Sequence, residues 1–526
     1  MAAVLRRALL VTSVALLGLA GCTVGPSQRP PVAVRDDGLV VLPSPTTTPA
    51  PAPAPAELPE PDAQSPTIWF FDCTDDALST LPFPLPPDRA LRVDCGHFAV
   101  PADPDQPTLD PTRVGVLRVG LADAPADRPP LLALGDSATE PSTRHAVALA
   151  GQVPLAVLQR FTLIGLDRRG AGDDALDCAP IDVRAALIDA DPGTAGEAGL
   201  AALLEQARDV AQLCYRLLAG GLGGHRTAST VTDVERLRIG LGVRRLSAVA
   251  VGDGATALAG WAAAFPTSVG RVVLDGPLDP TRDEPDRSEA TAGALEAAFD
   301  GFSVACVARA DCPLAPDPRA SVAGLLERLR TQPLVAGDGR RLTAGATVTA
   351  LIAALAEPRG WPALASALAA ARNGDPVALL DVADPVIGPG GRFDAMLATA
   401  CNDSGRRLSP GEVGELAARW QRTYPLFGGT LALRLLACAP WPATVRPPES
   451  GPVDGVPPVL VIGTAGNPRG PLDGSRRTAE ALPSSRFLSW QGAGTGAYPR
   501  TPCVTDVVDR LLVNGEVPAP GLLCPP

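Results

Sequence analysis

Lysine is absent from the 526 residues: all 45 basic side chains are arginine, so a serine–lysine catalytic dyad is excluded outright. Histidine is nearly absent too, with His97, His145 and His225 the only copies and none beyond residue 225. A general base in the second half of the chain cannot be an imidazole. No C-x-x-C pair occurs, and the only histidine close in sequence to a cysteine is His97, beside Cys95, so neither a metal nor another cofactor is expected. Positive charge is in deficit. The formal net charge of -12 gives no electrostatic support for binding nucleic acid.

A hydrophobic run long enough to span a bilayer is missing at the N-terminus. Arg6 and Arg7 are followed by a largely apolar stretch from Ala8 to Leu17, the pattern of a secretory signal. It ends in Leu19-Ala20-Gly21-Cys22, which resembles the lipobox of bacterial lipoproteins, where the cysteine is lipidated and becomes the mature N-terminus. That resemblance implies export and a membrane anchor at Cys22, on the outer face of the cytoplasmic membrane. Residues 23–66 are rich in Pro, Ala, Thr and Ser and read as a semi-rigid tether. Ten cysteines remain after Cys22. In an exported chain an even number suggests disulfides, although spacing alone leaves on the order of a thousand pairings. Pairing of sequence neighbours is expected: Cys73–Cys95, Cys178–Cys214, Cys306–Cys312, Cys401–Cys438 and Cys503–Cys524.

Short Val/Leu/Ile runs alternate with helical patterns in the order of β/α units. The expected strands are 114–121, 131–134, 162–166, 247–251, 272–274, 459–462 and 487–490, several of them continuously apolar as strands buried on both faces must be. The fold class is therefore α/β, with a mostly parallel, doubly wound sheet. From residue 285 to 448 helices dominate; Val322, Leu325, Leu326 and Leu329 fall on one helical face. The expected organisation is leader 1–22, tether 23–66, core 67–284, helical cap 285–448, and a segment 449–526 that completes the sheet.

The stretch RLSAVAVGDGATALAGWAAAFP, from Arg245 to Pro266, spells strand, sharp turn and helix. Ala250, Gly252, Gly254 and Ala255 allow the cramped corner of a nucleophile elbow, normally G-x-S-x-G, but the serine position reads Gly252. An alternative register would make Asp253 a carboxylate nucleophile. Its ester intermediate would still need a base, and no later histidine exists to supply one.

Other stretches join the elbow: Cys95-Gly-His-Phe-Ala-Val-Pro, Asp167-Arg-Arg-Gly-Ala-Gly, Val272-Val-Leu-Asp-Gly-Pro-Leu-Asp-Pro280, Ala400-Cys-Asn-Asp403 and Cys438-Ala-Pro-Trp441. In their order and spacing over residues 67–526 they resemble the α/β-hydrolase lipoproteins related to the tripeptidyl aminopeptidases of actinomycetes. Residues 503–524 look like that family's C-terminal TAP-like segment. The resemblance implies an α/β-hydrolase fold with a helical lid and an exopeptidase acting through a Ser, Asp, His triad. Carried over residue by residue, the triad fails. The serine position, thirteen residues before Phe265, is Gly252; the acid position in Gly463-Thr-Ala-Gly-Asn-Pro-Arg-Gly-Pro471 is Asn467; and the base position in Gly494-Thr-Gly496 is Thr495. The oxyanion loop, expected to be glycine-rich, reads Gly135-Asp-Ser-Ala-Thr-Glu140.

The reading is a pseudohydrolase serving as a peptide or envelope-ligand binding or interaction module. Its cleft is expected to be lined by Gly135, Asp136, Ser137, Glu140, Asp253 and Gly254, and its acidic residues should favour a cationic group such as a peptide amine. The alternative is an active exopeptidase with a rearranged site. His145 is expected as a polar surface or lid-facing residue, and Asp275 as the cap of a turn after its strand rather than a relocated acid.

Overall fold

The computed structural model describes residues 68–442 and 455–526, apart from positions 107 and 126. The leader, Cys22 and the tether lie outside the described residues. Ten strands form one sheet in the order β1-β2-β3-β5-β4-β6-β7-β10-β11-β12. They are β1 (Trp69–Asp72), β2 (Leu91–Val100), β3 (Thr112–Leu121), β4 (Pro130–Leu134), β5 (Thr162–Leu166), β6 (Leu246–Val251), β7 (Val269–Asp275), β10 (Leu460–Gly466), β11 (Arg486–Ala493) and β12 (Leu522–Cys524). A two-stranded hairpin, β8 (Leu334–Val335) with β9 (Arg341–Leu342), lies apart from it. The pairings from β5 through β12 are parallel; those joining β1, β2, β3 and β5 are antiparallel.

This is the α/β-hydrolase arrangement, with β4 and β5 exchanged in the sheet relative to their order in the chain. The sequence expectation overlooked β1, β2 and β12. The first and last are short edge strands, and a disulfide lies beside each: Cys73–Cys95 ties the end of β1 to β2, and Cys503–Cys524 ties β12 to the helix Pro502–Asp509. The central strands β6 and β7 are buried along their whole length, which is why most of their residues are apolar. Separate apolar clusters cover the two sheet faces.

A third apolar cluster builds the cap. It centres on α3 (Glu284–Val307) and α4 (Pro318–Thr331), where Val322, Leu325, Leu326 and Leu329 are all buried. Phe299 packs against Phe302 and Phe427, and Phe302 meets Trp361 edge-on at 6.0 Å. Buried aromatics of this kind typically contribute about 3–5 kcal/mol each against truncation. The same cluster takes in Leu200, Leu203 and Val210 of the helix Glu197–Leu217, so the cap layer draws on two segments of the chain. The disulfides Cys178–Cys214, Cys306–Cys312 and Cys401–Cys438 lie in this layer.

The stretches that carried the family resemblance have structural work here. Arg169 forms a buried bidentate pair with Asp233, at 2.8 and 2.9 Å. Asn402 donates to the carbonyls of Leu222 and His225 and accepts from Trp441 Nε1, fastening the end of the cap.

Candidate functional site

Between β6 and α2 (Asp253–Ala264) the backbone turns at Gly252 with φ +59° and ψ -123°. This conformation is strained for any residue with a Cβ, and it is the elbow geometry that the small residues of the motif foreshadowed. The elbow persists without a nucleophile. A Cβ at position 252 would also lie 2.8–2.9 Å from Asp136 Cγ, Oδ2 and Cβ. The Asp136 side chain thus fills the space that a nucleophile's side chain would need.

The positions expected to hold the acid and the base of a triad are in contact. Thr495 Oγ1 donates to Asn467 Oδ1 at 2.9 Å, and both side chains are buried. The Thr495 loop in turn abuts the elbow strand, since a Cβ on Gly496 would sit 3.2 Å from Val251 Cγ1. Asn467 Oδ1 also accepts from the backbone amides of Arg469 and Gly470, which shapes its loop as a carboxylate would. It carries no charge to stabilise a cationic base, and Thr495 cannot take a proton near neutral pH.

Four amides of the loop after β4, the segment that would form an oxyanion hole, are already engaged. Ser137 N donates to Asp253 Oδ1 at 2.9 Å, Ala138 N to Asp136 Oδ1 at 2.9 Å, and the amides of Thr139 and Glu140 to the Asp136 carbonyl. Donors already engaged cannot turn to a developing oxyanion, and a carboxylate beside them would oppose it.

The expectation that acidic residues wait here for a cation is corrected, because each already has a partner within the chain. Asp136 Oδ2 is 3.2 Å from Arg469 Nη1; Asp253 pairs with Arg168 and accepts from Ser137 Oγ; Glu140 Oε1 is 3.2 Å from His145 Nδ1. Burial pushes the Asp136 carboxyl above its ordinary range, Arg469 pulls it down, and Asp253 adds to the rise. Gly135 and Gly254 are in close contact: a Cβ on Gly254 would come within 2.5 Å of the Gly135 carbonyl. His145 lies on α1 (Ser142–Gln152), its Nε2 buried without a hydrogen-bond partner. Both His97 and His225 stand elsewhere: His97 faces Asp174 at 3.9 Å, and burial with the Arg169 charge holds His225 down at about 4.

Asp275, at the end of β7, clasps a more distant turn than the one after its own strand. Its Oδ2 accepts from Ala497 N at 2.6 Å and Tyr498 N at 3.0 Å, and its carbonyl accepts from Gly252 N. It therefore holds the Thr495 loop against the elbow, and burial raises its carboxyl to about 6.

Sequence reasoning missed Arg469, Arg168 and Arg392. The signal for the first was present: an aspartate had entered one loop and Arg469 stood two residues past the acid position of another, and the hydrolase fold brings those loops together. Arg392, which immediately precedes α5 (Phe393–Asp403), extends from the cap so that its Nη2 donates to the Ala138 carbonyl at 3.3 Å.

Residues 424–524, which hold the Asn467 and Thr495 loops, match the family model described as TAP-like protein. The chain is 26% identical over 461 residues to the serine protease Hip1 of Mycobacterium tuberculosis, covering 82% of this chain and 87% of that protein. It is 27% identical over 463 residues to carboxylesterase B of the same species, covering 82% and 86%. To the tripeptidyl aminopeptidase of Streptomyces lividans it is 24% identical over 450 residues, covering 82% and 84%. The chain thus has an α/β-hydrolase fold, carries a TAP-like segment over residues 424–524, and is similar along most of its length to these hydrolases and peptidases.

Proposed function

We propose that this chain is a non-hydrolytic member of its family: an exported lipoprotein, anchored at Cys22, whose lidded cleft serves as a binding or interaction module for peptides or other cell-envelope ligands. One observation carries the loss of hydrolysis. The Asp136 side chain stands where the elbow side chain would be, beside a glycine that has none. The Asn467–Thr495 hydrogen bond supports the same reading, because it replaces a proton relay with a neutral structural contact. Conservation of the fold despite these changes fits a protein retained for what it holds.

The rival reading, an exopeptidase with a rearranged site, draws on the relatives named as a protease, an esterase and an aminopeptidase. A serine-reactive fluorophosphonate probe separates the two. Labelling of the purified protein should not exceed that of a heat-denatured control; specific labelling at any cleft residue would overturn the proposal. A screen of peptides and envelope extracts for thermal stabilisation should find a ligand that raises the melting temperature.

A further inference from the structure

The acidic residues at the elbow are all paired, but one half-buried cation beside them is not. Arg392 donates only to the Ala138 carbonyl, forms no ion pair among the described residues, and has a buried Nε without a hydrogen-bond partner. Arg469 leans on the same short loop: its Nη1 reaches Asp136 Oδ2 at 3.2 Å and Thr139 Oγ1 at 2.9 Å, while its Nε is likewise buried and unpartnered. The two guanidinium groups thus sit against one four-residue segment, Arg392 reaching it from the cap and Arg469 from the loop after β10. Arg469 lowers the tolerance of Arg392 for charge. Burial and the nearby Arg469 bring Arg392 down to about 10, with Arg144 adding to the repulsion and Asp136 and Glu140 only partly offsetting it.

An unpaired cation facing a like charge in a half-buried position is a cost that the fold alone does not require. Nor is Arg392 loosely placed. Two residues on, the fully buried Asp394 accepts from the amides of Cys178 and Ala179 at 2.8 and 2.9 Å, and Cys401–Cys438 pins the other end of the same helix.

We propose that Arg392 and Arg469 form a receptor for an oxyanion group, a carboxylate or a phosphate, carried by the ligand that enters between cap and core. The planar, fixed donor fork of arginine suits acceptor oxygens of either kind, and two forks on one loop supply both charge and direction. This rests on the cleft being a binding site and reverses the sign of ligand charge that the acidic loop residues suggested. It needs no chemistry at the elbow.

The test is thermal unfolding of the full chain without its leader, with N-acetyl-dialanine as the carboxylate probe and inorganic phosphate as the other. N-acetyl-dialanine amide and sodium chloride at matched ionic strength serve as controls. The expected result is a rise of about 2 °C or more with at least one oxyanion and none with the controls. Which probe acts identifies the source of the oxyanion. Arg392→Gln should abolish the response while melting no lower than the parent in the absence of anion, since it removes an unpaired charge. Arg392→Lys, which keeps the charge and loses the fork, should respond more weakly than the parent. No response to either oxyanion, or an undiminished response in both variants, overturns the proposal. Labelling by the fluorophosphonate probe would instead refute only the loss of hydrolysis.

Discussion

A serine placed at position 252 meets two obstacles, the positive φ of the elbow and the Asp136 side chain. The first is of order 1–3 kcal/mol. The second depends on one partner, so the two sites must be coupled. Gly252→Ser together with Asp136→Gly should be less destabilised than the sum of the single variants by about 1 kcal/mol or more, measured by denaturant unfolding. The variant Gly252→Ser, Asn467→Asp, Thr495→His should stay silent towards a chromogenic ester until Asp136→Gly is added; activity in the triple variant alone would refute the blocked elbow. Asp275 makes a separate prediction. Its buried carboxyl lies at about 6, against about 4 in an unfolded chain. The unfolded state therefore loses this proton first, and stability falls as pH rises from about 4 to about 6, by about 3 kcal/mol in all, and is level above. Asp167, also raised to about 6, acts in the same direction, whereas His225 at about 4 opposes them up to about 6.5. The melting temperature of Asp275→Asn relative to the parent should climb across pH 4–6 and then hold steady.

The disulfides differ in what they constrain at the level of elements. Cys401–Cys438 closes 37 residues, joining α5 to the end of the cap, while Cys306–Cys312 closes only 6 beside the end of α3. Paired Cys→Ser replacement of the first should cost about 4 kcal/mol and of the second about 2, so equal losses in denaturant unfolding would count against a chain-entropy origin. The sequence was informative on these elements wherever one physical cause dominated. Strands such as β5 and β6 were legible because burial on both faces leaves mostly apolar residues. The strand β2, with Arg92, Asp94 and His97 among its residues, was not, since it pairs near the sheet edge and alternates imperfectly. The elbow could be read from its small residues, and the two loops of Asn467 and Thr495 from the family resemblance. The ion pairs Asp136–Arg469 and Asp253–Arg168 could not, because partners 333 and 85 residues apart meet only once the sheet has formed. The acidic residues alone suggested a site for a cation; the partners reversed that.

For the whole molecule, the absence of lysine makes processing directly testable. An amine-reactive ester should add at most one label per chain, at the N-terminal amine, since no side-chain amine exists. Protein recovered from the membranes of an actinomycete host should have an intact mass that starts at Cys22 and exceeds the polypeptide by a lipid; a mass beginning at Met1 would refute the anchor. The filled elbow also bears on the history of the protein. Recovering the nucleophile by substitution requires two changes, and either made first is unfavourable. A serine at 252 collides with the resident carboxylate, while loss of that carboxylate deprives Arg469 of its only ion-pair partner among the described residues. Either order of substitution passes through a less stable intermediate. The contact between Gly252 and Asp136 thus acts as a ratchet, keeping a serine side chain from being introduced at the elbow in one favourable step.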